Sequence, residues 1–296
     1  MEPGKPSQAK RSWLAEVIAG YRTAESMRPE SERVCYDPYA KYFLGSILST
    51  VARSRLLARM AIWYADQVAP GGPGEAICRT RYIDDYLGGC IADGIRQLVI
   101  LGAGYDSRAY RFPELVGKVR VFEVDNEVTQ LRKIRKIKEI FGSLPEHVTY
   151  IPMDFNKEKL DKKLAESGYN RDLKTLFIWE GVTFYLTADA VEETLAFVAG
   201  NSGKGSYIIF NYVFKSVIDG TNSTKEASRW RVALEHRGEP AVFGIEEGTI
   251  ERFLSQRGFC EIETVDCDLY KGFYFNSNAN QNRRLLSFMP TVHAKV

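Results

Sequence analysis

Leu98-Val99-Ile100-Leu101-Gly102-Ala103-Gly104-Tyr105-Asp106-Ser107 is the stretch on which the fold turns. Four consecutive apolar residues without polar alternation predict a strand buried on both faces, the glycines a tight turn, and the residues beyond them the start of a helix. In an open α/β sheet, ligands bind beyond the carboxyl ends of the strands, and glycines there let a ligand approach the backbone where a side chain would block it. A dinucleotide fingerprint, Gly-x-Gly-x-x-Gly, needs a third glycine where this chain has Ser107, which weakens the pyrophosphate reading.

Downstream the same alternation repeats. QLVILGAG (97–104), VRVFEVD (119–125), HVTYIPMD (147–154), TLFIWEG (175–181) and SYIIFNY (206–212) predict five strands, with helices between them. Strand and helix in turn imply a mostly parallel sheet covered on both faces. CEIETVDCD (260–268) and GFYFNSN (272–278), followed by QNRRLLSFMP, predict two more strands joined around Lys271-Gly272. The expected fold class is therefore α/β, a Rossmann-like sheet of about seven strands with an antiparallel last strand.

Upstream, Trp13, Leu14, Val17, Ile18 and Tyr21 fall at helical spacing, and residues 1–92 read as a helical region. Helix resumes after the turn-forming run Pro70-Gly71-Gly72-Pro73-Gly74 and is expected to end near Gly88-Gly89. Residues 93–296 form the expected core, interrupted by an insertion over 212–245 that would cap the site.

Composition narrows the function. With 40 basic against 38 acidic residues the net charge is +2, too small for a protein that binds by neutralising phosphates, so nucleic acid is not an expected partner. No apolar run approaches the roughly 20 residues of a membrane span, and no membrane partner is expected. MEPGKPSQAKRSW lacks the apolar core of a secretory leader, and five scattered cysteines without a Cys-x-x-Cys pair read as reduced, buried thiols of a cytoplasmic protein. Histidine and cysteine spacings match no metal site.

Acids stand at the ends of successive strands. Asp125 follows Gly104 by 21 residues, where a carboxylate can accept from both hydroxyls of a ribose; alone, it reads equally well as a cap for the helix beginning near Asn126. Asp154, before Phe155, and Glu180 end the next two strands in the same manner. Three acids suit a cofactor with hydroxyls, an amine and a positive centre better than one with two phosphates.

These residues resemble the leucine carboxyl methyltransferase family of S-adenosylmethionine-dependent O-methyltransferases. The resemblance rests on Arg79-Thr80-Arg81-Tyr82-Ile83-Asp84, LGAGYDSRAYRF (101–112), Phe122-Glu123-Val124-Asp125 and Glu180-Gly181-Val182-Thr183-Phe184-Tyr185-Leu186. It extends from Tyr21-Arg22-Thr23-Ala24-Glu25 and Asp37-Pro38-Tyr39-Ala40 to Gly238-Glu239-Pro240, Phe243-Gly244 and Phe253-Leu254-Ser255-Gln256-Arg257-Gly258-Phe259. It implies that S-adenosylmethionine is the cofactor and that Arg79 pairs with its methionine carboxylate. Gly102 and Gly104, with Ala103 between them, would pass beneath the methionine, Asp125 would hold the ribose, Asp154 and Phe155 would address the adenine, and Glu180 would lie near the amine. Asn126-Glu127 stands where relatives often carry a proline-containing turn.

A sulfonium is already a good leaving group, so methyl transfer needs chiefly an in-line nucleophile. An ionised carboxylate needs no base, whereas a hydroxyl does. No catalytic residue is identified by the motifs; Tyr185, Arg231, His236 and Arg237 are candidates for orienting an acceptor, a carboxylate or a hydroxyl of a small molecule or peptide. Tyr207, Phe210, Tyr212 and Phe214 either line an acceptor pocket or pack in the sheet. The basic run from Leu131 to Lys138 reads as an amphipathic helix with Leu131, Ile134, Ile137 and Ile140 inward and its charges in water. The competing functions are an NAD(P)-dependent oxidoreductase and a catalytically inactive cofactor-binding protein.

Overall fold

The computed structural model describes residues 13–276 and 279–296. The polar run before Trp13, and with it the expectation about a leader, lies outside the described residues. Four helices come first: α1 (Trp13–Ser26), α2 (Ser46–Val51), α3 (Arg55–Val68) and α4 (Gly72–Ala92). The core then runs β1 (Gln97–Leu101), α5 (Arg108–Arg111), β2 (Arg120–Asp125), α6 (Glu127–Phe141), β3 (Val148–Pro152), α7 (Leu160–Glu166), β4 (Thr175–Trp179), α8 (Ala188–Gly200) and β5 (Tyr207–Asn211). It ends with α9 (Lys215–Ile218), α10 (Lys225–His236), α11 (Ile250–Ser255), β6 (Cys260–Val265), α12 (Cys267–Tyr274) and β7 (Thr291–Lys295).

The seven strands lie in the order β3-β2-β1-β4-β5-β7-β6; β1 to β5 are parallel, and β7 runs antiparallel to both neighbours. Val99 and Leu101 enter the hydrophobic core on one face of the sheet, Leu98 and Ile100 that on the other, which is why the strand lacks polar alternation. The chain proceeds outward from β1 to β2 and β3, then returns to lay β4 on its other side. The carboxyl ends of β1 and β4 therefore flank the crevice where such sheets bind ligands.

Several expectations are corrected. The stretch from Gly272 is not a strand: the Asp266 carboxylate accepts from the N–H groups of Asp268 and Leu269 at 3.0 Å each, and this cap starts α12. The seventh strand is instead Thr291–Lys295, so His293 is not in a loose tail but in the sheet, its ring 4.3 Å from that of Tyr86. Helix α4 begins inside the proline-glycine run, at Gly72, and passes through Gly88-Gly89 to Ala92. In α6 the inward residues include Gln130 and Lys133, while Leu131 is 52% exposed. The cause is Glu123, fully buried in β2, which Lys133 meets at 2.8 Å and to which the Tyr110 hydroxyl donates at 3.0 Å. A buried carboxylate is tolerated only with such partners. Of the thiols, Cys35, Cys78 and Cys90 are buried, but Cys260 is exposed and Cys267 half-buried.

Within the insertion, Val217, Ala227, Trp230 and Leu234 pack with Phe184, Phe288 and Met289 in a separate apolar cluster. Phe210 and Tyr212 are core residues and Phe214 packs against them, while Tyr207 meets Tyr86 edge-on; these rings pack in the sheet. Among the described residues no helix is long and apolar enough to cross a membrane.

Candidate active site

Gly102 and Gly104 both adopt left-handed backbone, φ 67° and 44°, which favours glycine. At Gly102 a Cβ would also collide with the Val182 side chain, so part of the glycine signal reports packing between the β1 and β4 loops. Ala103 is buried, and both its N–H and that of Gly102 donate to the Val124 carbonyl at 3.0 and 2.8 Å, which joins the turn to β2.

Asp125 completes that junction. Its Oδ2 accepts from the Gly104 N–H at 2.5 Å and its Oδ1 from the Asn126 N–H at 2.6 Å, while Asn126 itself caps α6 by accepting from the Val128 N–H. The two readings of Asp125, loop ligand and helix-start acceptor, are thus one arrangement. Burial pushes its carboxyl up to about 6, against the two N–H groups that hold it down. Asp154 stands farther out, beyond β3, bonded to Lys157 at 2.7 Å and to the Asn156 N–H at 3.1 Å, with Phe155 half-buried beside the core.

Glu180 ends β4 between two guanidiniums. Arg79 Nε donates to one carboxylate oxygen at 3.0 Å and Arg108 Nη1 to the other at 2.7 Å. Burial would raise its pKa, but Arg108 and Arg79 outweigh burial and hold it below the usual carboxylate range. Arg79 Nη1 is taken by both oxygens of Glu75, at 2.6 and 2.7 Å, one helical turn earlier on α4. Its Nη2 makes no hydrogen bond among the described residues and lies against Gly181, at the β4 rim. Burial pushes Glu75 up to about 6 despite Arg79.

Arg108 is the hub that the motif analysis left without a role. Besides Glu180 it donates to Asp106 at 2.5 Å, to Asp84 at 2.7 Å and to the Thr80 carbonyl at 3.1 Å, and Arg111 also meets Asp84. Burial opposes charge on Asp106, yet Arg108 and Lys133 bring it down to about 2. Asp106 and Arg108, two apart, stand within the quoted run 101–112, whereas Glu75, four residues before Arg79 on the same helix, lies outside the quoted runs. An arginine at the start of a short helix ordinarily reads as solvated, so the sequence alone offers no reason to bury Arg108.

Helix α1 lies over the glycine turn. Ala15 approaches Gly104 closely, with its Cβ 3.4 Å from where a Cβ on that glycine would stand, and Arg22 donates to the Tyr105 carbonyl at 2.5 Å and to Asp37 at 2.9 Å. The Trp13 N–H donates to Glu239 at 3.0 Å.

The acceptor candidates are not brought to one point. The Tyr185 hydroxyl is buried without a hydrogen-bond partner; burial holds it neutral far above its ordinary range, Glu239 adds to this and Arg79 opposes it. Arg231 faces the Gly220 loop, in a cavity of about 450 Å3 shared with Asn222 and Thr224. Arg237 is exposed and stacks on Trp13, its guanidinium 4.3 Å from the ring centroid. His236 is exposed at the end of α10. His147 bonds the Ala109 carbonyl at 2.9 Å, and His293 lies in β7. No cluster able to hold a metal ion exists among the described residues.

Comparison with known proteins accords with this geometry. The model of the leucine carboxyl methyltransferase family matches residues 15–199, which include most of α1, the glycine turn, Asp125 and Glu180. A Bacillus subtilis protein named "Putative S-adenosyl-L-methionine-dependent methyltransferase YktD" is 30% identical over 217 residues, covering 73% of this chain and 70% of that one. A Frankia alni protein of the same designation is 38% identical over 136 residues, 44% of this chain and 45% of its own. Among solved structures, a putative methyltransferase from Thermobifida fusca shares the fold, with a TM-score of 0.54, 13% identity and 94% coverage of both chains. The chain belongs to the leucine carboxyl methyltransferase family of S-adenosylmethionine-dependent methyltransferases.

Proposed function

We propose that this protein transfers the methyl group of S-adenosylmethionine to an oxygen, a carboxylate or hydroxyl of a small molecule or peptide, and does so in the cytoplasm. The observation that carries the reading is the meeting of Gly104, Asp125, Glu180 and Arg79 at the ends of β1, β2 and β4. When bound, the cofactor supplies an electrophilic methyl on a positively charged sulfur. Asp125 keeps lone pairs for ribose hydroxyls, Glu180 for an ammonium, and the free Nη2 of Arg79 is a donor for the α-carboxylate. Asp154 and Phe155, at the end of β3, suit the adenine side. The helices before β1 would roof the site, and the 212–245 segment would wall the acceptor side.

Between the two acceptor classes, a carboxylate is favoured. No histidine stands among the residues named around the crevice, and a carboxylate is ionised without one. The neutral Tyr185 hydroxyl is a hydrogen-bond donor for an anion. The free thiols suit a reducing compartment. Calorimetry with S-adenosylhomocysteine and with NADH, then mass spectrometry on matched carboxylic acids and phenols, tests the reading. Binding of the first ligand alone and ester products are expected; NADH binding, or phenol ethers without esters, would overturn it in whole or in its acceptor class. Tyr185→Phe should raise the acceptor KM severalfold and leave S-adenosylhomocysteine affinity unchanged.

A further inference from the structure

Helix α3 turns its apolar face away from the protein. Leu56, Leu57, Met60, Trp63, Tyr64 and Val68 fall on one side of the helix, and Leu56, Trp63 and Tyr64 expose 66%, 65% and 66% of their surface. Toward the protein the helix presents small residues, of which Ala58 is buried, and packs beside α1, α4 and α10. Ile47 on the preceding α2 is 81% exposed and extends the patch. A contiguous apolar face of this kind marks an interaction surface.

Charge identifies what it meets. From Pro38 to Ala65 the chain carries Lys41, Arg53, Arg55 and Arg59 and no carboxylate, although the whole protein is nearly neutral. Arg53, Arg55 and Arg59 are exposed and form no ion pair among the described residues. A second copy docked across a two-fold axis would set these arginines against each other, and the one acid of α2 and α3, Asp66, is already paired with Arg284. The residues before Trp13, with Lys5, Lys10 and Arg11 against Glu2, offer neither the apolar surface nor the negative charge. A bilayer of anionic lipid offers both. Tryptophan and tyrosine favour the headgroup level, and a helix with an apolar face edged by arginines lies in that plane.

We propose that α2 and α3 form an interfacial anchor that seats this protein on anionic membrane surfaces. The sequence reading excludes a membrane partner on the length of apolar runs, a criterion for crossing a bilayer that does not apply to a helix lying on it. The anchor is independent of the methyl-transfer reading, and its test needs no substrate.

Sedimentation with vesicles of phosphatidylglycerol and phosphatidylcholine in equal parts, against phosphatidylcholine alone, is the experiment. The protein should pellet with the anionic vesicles and be released at about 1 M salt, where charges are screened within roughly 3 Å. Arg55→Gln with Arg59→Gln should weaken partitioning about thirtyfold. Met60→Asp with Trp63→Asp should abolish it, with the circular dichroism spectrum unchanged because both side chains are exposed. Failure of the native protein to bind, equal binding to both vesicle types, or unaltered binding by the aspartate variant would overturn the proposal. So would a dimer in analytical ultracentrifugation that the aspartate variant dissolves, which would assign the face to a second copy.

Discussion

Arg108 gathers Glu180, Asp106 and Asp84 around one buried guanidinium, and Glu180 passes the connection on to Arg79. Replacing Arg108 by Met leaves Asp106 without its ion-pair partner and Glu180 and Asp84 with one guanidinium each, so a loss of about 3–5 kcal/mol is expected in urea unfolding. At Asp125 the expected effect is on the ligand instead. Asp125→Ala should weaken S-adenosylhomocysteine binding by roughly 1.5–3 kcal/mol in calorimetry, through lost charge-assisted hydrogen bonds. In the proposed binding mode ribose hydroxyls would donate to the ionised carboxylate, which burial has pushed up to about 6. Affinity should therefore hold above that pH and decline as pH falls through it, a trend that Asp125→Asn would flatten. The two residues differ in how visible they are in sequence. An acid at a strand end beside a glycine turn announces itself by position, whereas Arg108 gains its meaning only when α4, α5 and the β4 rim converge.

Helix α6 and helix α12 show how far local pattern reaches at the scale of an element. The apolar spacing in α6 correctly predicts a helix and the burial of Ile137, but not that Gln130 and Lys133 turn inward and Leu131 outward, because the deciding partner, Glu123, belongs to another element. Lys133→Met should cost about 3 kcal/mol in denaturant titration by leaving that carboxylate without its counterion. Leu131→Lys, though it removes an apolar residue from a basic helix, should stay within about 0.5 kcal/mol of the native protein. In α12 the aromatic run resembles a strand by composition, and the side chain of Asp266 decides for helix. The parallel strands were legible because burial on both faces leaves long apolar runs. The last strand was not, since Thr291, His293 and Lys295 interrupt its apolar residues.

Across the whole molecule, buried acids set opposite trends with pH. Glu75 and Asp125 titrate near 6 in the folded protein, above their unfolded values, so the folded state binds more protons in that interval and loses stability as pH rises through it. Asp106, held down to about 2, contributes stability that is present above its unfolded value and lost as pH falls through the lower one. Without ligand, stability should therefore be greater near about pH 5 than about pH 8, by on the order of 1–3 kcal/mol, as read by chemical denaturation at the two pH values. Strand number and direction follow from sequence at this scale, but the lateral order does not, since nothing local says that β4 returns beside β1. The hydrogen bond from Arg22 to the Tyr105 carbonyl spans 83 positions and fastens a helix preceding the sheet onto its central turn. The sheet is consequently no interchangeable cassette: a chimera that kept a relative's strands under this chain's first helix would inherit a mismatched ceiling, and recombination within the family must exchange both together.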